Sequence, residues 1–281
     1  MTPILHSVAS RVRRSALVKP VEPVFRRIEP MWNETMDNTV YRNGFPTQIN
    51  GESVRLTYGY GSRYSKSGRY EPDIALPFAQ AIRPGATVFD IGAHIGILAL
   101  IAGQRVGGQG RVFAFEPSPD TLRILHQHVR LNAGDGPIEI VPAVVSDRTG
   151  STTFFTYGES MAASVSRANV EVLNEQRLAA PATEVTVKSI TIDAFAAERG
   201  VVPDVIKIDV EGAELRVLRG AERTLREHSP LIFCEVHPSQ LENCGDSVDA
   251  LLRFADELGY AVTPLTGPGH QGIYPTRIER R

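Results

Sequence analysis

The stretch TVFDIGAHIGILALIAG, residues 87–103, decides the fold. It begins with a short apolar run, passes through a glycine-containing turn, and ends in a second apolar segment. The turn contains Asp90, Gly92, His94 and Gly96. A buried strand, a tight turn and a helix in this order are typical of parallel α/β sheets. Such sheets bind ligands beyond the C-terminal ends of their strands, so the turn is a predicted binding site.

The chain after residue 87 repeats this alternation of strand and helix. The predicted strands are Thr87–Ile91, Arg111–Pro117, Ile138–Val145, Asp204–Val210 and Leu231–His237, and the predicted helices start near His94 or span Pro119–Asn132, Ala213–His228 and Ser247–Leu258. Short apolar strands between helices predict an α/β fold with a mostly parallel sheet that helices cover on both faces. Residues 1–84 are predicted to form an N-terminal arm or cap, and residues 85–281 the binding domain.

Composition is that of an ordinary globular protein, with 42% hydrophobic residues and a net charge of −2. This charge gives no electrostatic reason to expect a nucleic-acid partner. No apolar run approaches the length of a membrane span. Cys234 and Cys244 lack metal-ligand spacing, and Cys234 is expected to be a core thiol, which fits a reducing cytoplasm. The arginine-rich N-terminus is expected to pack on the domain through Val8, Val12, Leu17 and Phe25; an arm on a membrane or partner surface, or a transit peptide, is the alternative.

The turn after the first strand favours a cationic cofactor without phosphate. His94 replaces the middle glycine of the dinucleotide fingerprint, and Asp90 would repel a diphosphate. S-adenosylmethionine carries a sulfonium and an ammonium group, so it fits such a turn. Glu116 follows the next strand and can accept hydrogen bonds from both ribose hydroxyls. NAD stays open as an alternative, because Glu116 would suit its ribose equally well.

Four sequence blocks then resemble the FkbM-type methyltransferases. They are DIGAHIG, AFEPSPDTLRILHQHVRLN, DVIKIDVEGAELRVLRGAERTL and LIFCEVHP, in this order within about residues 70–260. The resemblance implies a Rossmann-like class I methyltransferase with a seven-stranded sheet and S-adenosylmethionine as its cofactor. It also implies the following positions: Asp90, Gly92 and Gly96 on the methionine loop, Glu116 at the ribose, Asn132 and Val144 beside the adenine, and Asp209, Glu211 and Glu214 at the reaction face. The predicted cofactor-binding residues further include His94, Pro117 and Asp209. His94 departs from the usual asparagine, which predicts a pH-dependent cofactor affinity.

The catalytic candidates are the acids and the histidine near two strand ends: Asp209, Glu211, Glu235 and His237. An alcohol needs help to lose its proton before it attacks a methyl group. His237, oriented by a carboxylate, is the favoured base. Asp209, Glu235 and His237 could instead hold Mg²⁺, because Glu235 and His237 are two residues apart on one predicted strand. Lys207, an inward-facing cation, is expected to be snorkelled or ion-paired.

The resulting hypothesis is a cytoplasmic O-methyltransferase that acts on a hydroxyl of a sugar, glycolipid or secondary metabolite, as in natural-product biosynthesis. Residues 146–167 and the segment YGYGSRYSKSGRYEP, residues 58–72, are predicted substrate walls. An NAD-linked oxidoreductase and a non-catalytic partner-binding module are the alternatives. The small-molecule substrate, the position methylated and the oligomeric state stay open.

Overall fold

A computed structural model describes residues 22–132, 134, 136–156, 165–169, 182–267 and 274–281, with side chains from residue 28 onward. The predicted packing of Val8, Val12, Leu17 and Phe25 and most of the predicted wall after residue 156 lie outside this description. None of the described helices is both long enough and apolar enough to cross a membrane.

The strands are β1 (Phe45–Ile49), β2 (Glu52–Leu56), β3 (Thr87–Ile91), β4 (Arg111–Phe115), β5 (Ile138–Val141), β6 (Val144–Val145), β7 (Gly150–Thr156), β8 (Thr183–Ile190), β9 (Val205–Ile208), β10 (Leu231–Val236), β11 (Tyr260–Pro264) and β12 (Tyr274–Arg280). The helices are α1 (Glu22–Asn38), α2 (Tyr58–Tyr64), α3 (Pro72–Ala81), α4 (Ile97–Val106), α5 (Pro119–Asn132), α6 (Ile192–Arg199), α7 (Glu214–Arg219), α8 (Glu222–His228), α9 (Pro238–Asn243) and α10 (Val248–Glu257).

The main sheet has seven strands in the order β11-β12-β10-β9-β3-β4-β5. The five strands from β10 to β5 are parallel, and β12 pairs antiparallel with β10 and β11. This arrangement confirms the Rossmann-like class I methyltransferase fold and the mostly parallel seven-stranded sheet.

One strand prediction needs correction, and one strand was not predicted. The predicted strand over residues 138–145 is two strands, because Pro142 has no N–H for a sheet hydrogen bond. β5 belongs to the main sheet, whereas β6 pairs with β8 in a three-stranded sheet of order β6-β8-β7. The C-terminal tail, which lies outside the resemblance, forms β12 and inserts between β10 and β11.

The core lies on both faces of the main sheet, because side chains alternate along each strand. Val88 and Phe233 face the hairpin β1–β2 and helices α3, α4 and α5. Phe89 and Phe113 lie on the opposite face, where their rings make an edge contact with each other and Phe113 makes a second one with Phe195 of α6. Cys234 is also fully buried on this opposite face, which confirms its prediction as a core thiol.

Residues 45–82 of the N-terminal segment pack on the first of these faces. Phe78 of α3 contacts the ring of Phe233 in β10. His128 of α5 links two further segments, since Nε2 accepts the Thr57 N–H at 3.1 Å and Nδ1 lies 2.8 Å from the Ile95 carbonyl. Residues 45–82 therefore extend the core of the sheet. The boundary between residues 84 and 85 stays a prediction.

Candidate active site

A cavity lies beyond the C-terminal ends of β3, β4 and β9. It is lined by Tyr70, Ile91, Gly92, His94, Phe115, Glu116, Pro117, Thr121, Ala143, Val144, Val145, Phe154, Val165, Asp209, Val210, Glu211 and Ala213. Seven of the predicted site residues are in this lining: Gly92, His94, Glu116, Pro117, Val144, Asp209 and Glu211. The predicted site residues outside it are Asp90, Gly96, Asn132, Glu214, Glu235 and His237. The strand-end rule therefore locates the cavity but not every residue around it.

The turn after β3 requires an unusual backbone. Gly92 has φ +78°, and a Cβ there would lie 1.7 Å from the Asp209 carbonyl oxygen. His94 has φ +50°, a conformation that asparagine, aspartate and histidine tolerate better than other residues with a Cβ. Histidine in place of the family's asparagine is therefore compatible with this turn. α4 begins at Ile97, not near His94, because Gly96 at φ +88° is its N-cap.

Glu116 faces the cavity with both carboxylate oxygens already hydrogen-bonded. Oε2 accepts the His94 N–H at 2.9 Å, and Oε1 accepts the Ser118 N–H at 2.8 Å. Burial raises the pKa of Glu116 to about 7, while the two amides oppose the rise. An ionised carboxylate has about four acceptor positions, so both oxygens retain capacity for a ligand's hydroxyl groups.

Asp90 lies beneath the cavity and is fully buried. Its register partner on β9 is Lys207, and neither carboxylate oxygen has a hydrogen-bond partner among the described residues. Burial raises the pKa of Asp90 to about 6, and the charge of Lys207 opposes the rise. Asp90 therefore contributes charge below the ligand position and does not form part of the cavity wall.

Asn132 and Gly96 are predicted cofactor residues that the structure places elsewhere. Asn132 is the exposed last residue of α5, where its side chain bonds the backbone N–H and carbonyl of Arg55. A helix that follows a parallel strand runs back along the sheet, so its last residue lies at the edge opposite the cavity. Gly96 faces Leu125, whose Cδ1 would lie 2.4 Å from an added Cβ.

A buried ion pair lies at the end of β9. Lys207 donates from Nζ to Asp209 Oδ2 at 3.0 Å, which confirms the expected pairing. Burial would lower the pKa of Lys207, but Asp209 and Asp90 outweigh it and raise the pKa. Burial would raise the pKa of Asp209, but Lys207 and His237 outweigh it and lower the pKa. Both groups are therefore charged at neutral pH.

His237 is surrounded by carboxylates. Nδ1 lies 2.7 Å from Glu214 Oε1, and Nε2 lies 3.7 Å from Asp209 Oδ1 and 3.8 Å from Glu211 Oε2. Burial would lower the pKa of His237, but the Glu214 hydrogen bond and the nearby acids raise it to about 10. The imidazole is thus protonated at neutral pH. A protonated imidazole cannot accept a proton, so this arrangement disfavours His237 as the base.

Glu211 combines access to the cavity with an intermediate pKa. It has φ +52°, a strained conformation that is enriched at functional sites. Burial raises the pKa of Glu211 to about 7, while the charge of His237 opposes the rise. Gln240 donates from Nε2 to Glu211 Oε2 at 3.4 Å. Both the protonated and the ionised form of Glu211 are therefore accessible near neutral pH.

Two groups of three side chains could each present ligand atoms within 4.8 Å of one another. They are Asp209, Glu211 and His237, and Glu71, Asp209 and Glu235. The trio predicted for Mg²⁺, Asp209 with Glu235 and His237, is not brought together among the described residues. β10 ends at Val236, so strand alternation does not extend to His237, which turns toward Glu214.

Sequence reasoning missed the individual roles of Tyr70 and Glu71. The resemblance placed Glu214 at the reaction face, but its contact with His237 was not predicted. Tyr70 lines the cavity and Glu71 lies beside Asp209, although their segment was predicted only as a substrate wall. An acid immediately before Pro72, at the start of a helix, is the available signal for Glu71. Phe154 and Val165, which belong to the predicted wall of residues 146–167, also line the cavity.

Comparisons with known proteins identify the family. Residues 90–262 match the model of the methyltransferase FkbM domain. The chain is 28% identical over 203 residues to the hexuronic acid methyltransferase AglP of Haloferax volcanii, covering 67% of this chain and 76% of that protein. It is 29% identical over 193 residues to the 31-O-demethyl-FK506 methyltransferase FkbM of Streptomyces tacrolimicus, covering 61% and 72%.

A solved structure of the methyltransferase FkbM from Methylobacillus flagellatus aligns with a TM-score of 0.46 and 17% identity. The alignment covers 73% of this chain and 50% of that one. The family model alone matches more than half of the chain, including β3, β4, β9 and β10 around the cavity. The protein therefore belongs to the FkbM family of S-adenosylmethionine-dependent methyltransferases.

Proposed function

We propose that the protein methylates a hydroxyl group of a small polyhydroxylated molecule, such as a sugar, a glycolipid or a secondary metabolite. The observation that carries this proposal is Glu211, a carboxylate with a pKa of about 7 in the cavity wall. The names of two relatives support it, since one acts on a hexuronic acid and the other on a 31-O-demethyl compound. Family membership decides against the NAD-linked oxidoreductase and the non-catalytic module.

The cavity residues fit S-adenosylmethionine. Glu116 offers two acceptor oxygens for ribose hydroxyls, and Phe115 and Val144 offer apolar surface for an adenine. No lysine or arginine is among the described lining residues, which suits a ligand without phosphate. When bound, S-adenosylmethionine supplies a methyl group that is activated for in-line displacement.

Glu211 is the proposed general base. A carboxylate with a pKa near 7 can hold a proton taken from the hydroxyl and release it to water afterwards. Asp209 has a lowered pKa and is the weaker base, so it would orient the hydroxyl by accepting a hydrogen bond. His237 is proposed as a positioning residue, because its protonated Nε2 faces the carboxylates of both Asp209 and Glu211.

The experiment is a methyl-transfer assay with purified full-length protein. The acceptors are methyl glycosides of hexoses and hexuronic acids and an O-demethylated macrolide, with S-adenosylhomocysteine formation as the readout. Glu211→Gln should lower the rate with an accepted substrate by about 10²- to 10⁴-fold, the usual contribution of a general base. Glu242→Gln, the same change at an exposed position of α9, is the matched control.

Two outcomes would overturn the role of Glu211 as a metal-independent base. One is a Glu211→Gln rate within threefold of wild type, on the order of 1 kcal/mol or less in the barrier. The other is transfer that is abolished by EDTA and restored by Mg²⁺, because deprotonation by Glu211 requires no metal ion. Retained transfer in EDTA together with loss in Glu211→Gln supports it.

A further inference from the structure

A second set of carboxylates adjoins the cavity. Oxygen atoms of Glu71, Asp209 and Glu235 lie within 4.8 Å of one another, and Asp209 is shared with the cavity wall. We refer to these three residues as the acidic triad. Glu71 directly precedes α3 and lies outside residues 90–262, the range that matches the family model. The triad therefore joins the N-terminal segment to the methyltransferase domain.

The triad contains a buried acceptor that lacks a donor. Glu235 is only 8% exposed, and its Oε1 has no hydrogen-bond partner among the described residues. Oε2 of Glu71 is likewise buried and has no hydrogen-bond partner among the described residues. A buried carboxylate oxygen without a partner is costly, and such atoms in a native structure need an explanation. A ligand that donates hydrogen bonds would supply the missing partners.

Charge around the triad is also unbalanced. Strand alternation places Asp90, Lys207 and Glu235 on the sheet face that α3 covers. Lys207 is the cation within this group, and its hydrogen bond goes to Asp209. His237 also lies near Asp209, but its positive charge is neutralised by Glu214 and Glu211, which are outside the triad. Burial and the charge of Asp209 raise the pKa of Glu235 to about 9 and that of Glu71 to about 7. Glu235 is therefore protonated at neutral pH without a further cation, and a bound positive charge would favour the ionised form of both acids.

Backbone contacts hold Glu71 in place. Asn50, in the turn of the β1–β2 hairpin, donates from its side chain to the Tyr70 carbonyl at 2.5 Å and accepts the Tyr70 N–H at 3.2 Å. Glu71 itself has φ +37°, which is strained for a residue with a Cβ. The hairpin therefore positions Tyr70 against the cavity and Glu71 against Asp209 and Glu235.

We propose that the acidic triad is a subsite for an organic ammonium group. An ammonium group has three N–H donors and one positive charge, which match three converging carboxyl groups, two of which have an unpartnered buried oxygen. The group could be the amine of the cofactor's methionyl part or an amine on the acceptor, and the experiment separates these two sources. The proposal does not depend on Glu211, so its failure would leave the proposed O-methylation untouched.

The first arm measures cofactor binding by titration calorimetry without any acceptor. The probes are S-adenosylhomocysteine and its desamino analogue, in which hydrogen replaces the amine. If the cofactor supplies the ammonium group, wild type binds S-adenosylhomocysteine at least about tenfold more tightly than the desamino analogue. A difference of this size is typical of one hydrogen bond to a charged group. Glu71→Gln and Glu235→Gln should remove this preference without changing affinity for the analogue. Glu242→Gln is the matched control, and thermal unfolding verifies that each variant is folded.

The second arm uses methyl glucosaminide and methyl glucoside as probes in the presence of S-adenosylhomocysteine. If the acceptor supplies the ammonium group, wild type prefers the glucosaminide, and both triad variants lose that preference. The proposal is overturned if neither preference exists in wild type, or if folded triad variants retain it. It is also overturned if Mn²⁺ binds wild type and the triad variants abolish that binding, because the triad would then be a metal site.

Discussion

The imidazole of His128 makes the stability of the protein sensitive to acid. The ring is fully buried, with Nε2 accepting the Thr57 N–H at 3.1 Å and Nδ1 lying 2.8 Å from the Ile95 carbonyl. Only the neutral ring with its proton on Nδ1 satisfies both contacts. Burial lowers the pKa of His128 from 6.5 to about 4. The unfolded chain therefore takes up a proton at a higher pH than the folded protein does.

The size of the effect follows from this difference. Stability contributed by the neutral ring is fully present above pH 6.5 and is lost as the pH falls toward 4. Each pH unit in this window is worth about 1.4 kcal/mol, so acidification from 6.5 to about 5 costs about 2 kcal/mol. Glutamine in His128→Gln does not titrate, so the variant lacks this particular loss.

Urea unfolding of wild type and His128→Gln at about pH 7.5 and about pH 5 tests the prediction. Other buried acids contribute their own pH dependence to both proteins, so the informative quantity is the wild-type minus variant free energy of unfolding. This difference should shrink by about 2 kcal/mol at the lower pH. A difference that stays constant between the two pH values would refute the reasoning.

Three further predictions concern the cavity. Gly92→Ala should prevent S-adenosylhomocysteine binding and lower the unfolding temperature, because the new Cβ would lie 1.7 Å from the Asp209 carbonyl oxygen; normal binding by calorimetry would contradict this. Glu116→Gln should weaken S-adenosylhomocysteine binding by about tenfold to hundredfold, the value of hydrogen bonds to a charged acceptor; an unchanged Kd would argue against ribose contact. The wild-type transfer rate should rise with pH through about 7 as Glu211 ionises, and the rate of Glu211→Gln should lack this rise.

Much of the fold could be predicted because its signals are local. The apolar run, turn and helix after residue 87 are contiguous, and β3 and α5 have the predicted bounds. β12 was missed because its sequence, YPTRIER, carries three charged residues and reads as a polar tail. Its strand form depends on β10 and β11, which flank it in the sheet. The local sequence pattern does not predict strand pairing of this kind, because it depends on residues distant in the chain.

The candidate site likewise contains some residues that could be predicted from local sequence and others that could not. Gly92, Glu116 and Asp209 follow strand ends, so the topology of a parallel sheet brings them to one edge. Glu71 reaches the site through the packing of a hairpin and α3, and Glu214 reaches His237 from the following helix. Neither approach follows from spacing along the chain.

The separation of Glu235 from His237 shows a further limit. Alternation along a strand predicts one shared face, but the strand ends between these two residues. Glu235 consequently joins Glu71, whereas His237 joins Glu214 and Glu211. The end of a strand is therefore the position at which face assignments from sequence are least secure.

The most direct test of the central claim follows the transferred methyl group itself. Wild type and Glu211→Gln are incubated with S-adenosylmethionine labelled with ¹³C at the methyl carbon, together with the acceptor panel. The carbon chemical shift of the product distinguishes a methyl ether from an N-methyl or C-methyl group. The proposed function predicts a labelled methyl ether that forms with wild type and at least about 10²-fold more slowly with Glu211→Gln. A label on nitrogen or carbon, or equal rates for the two proteins, would contradict it.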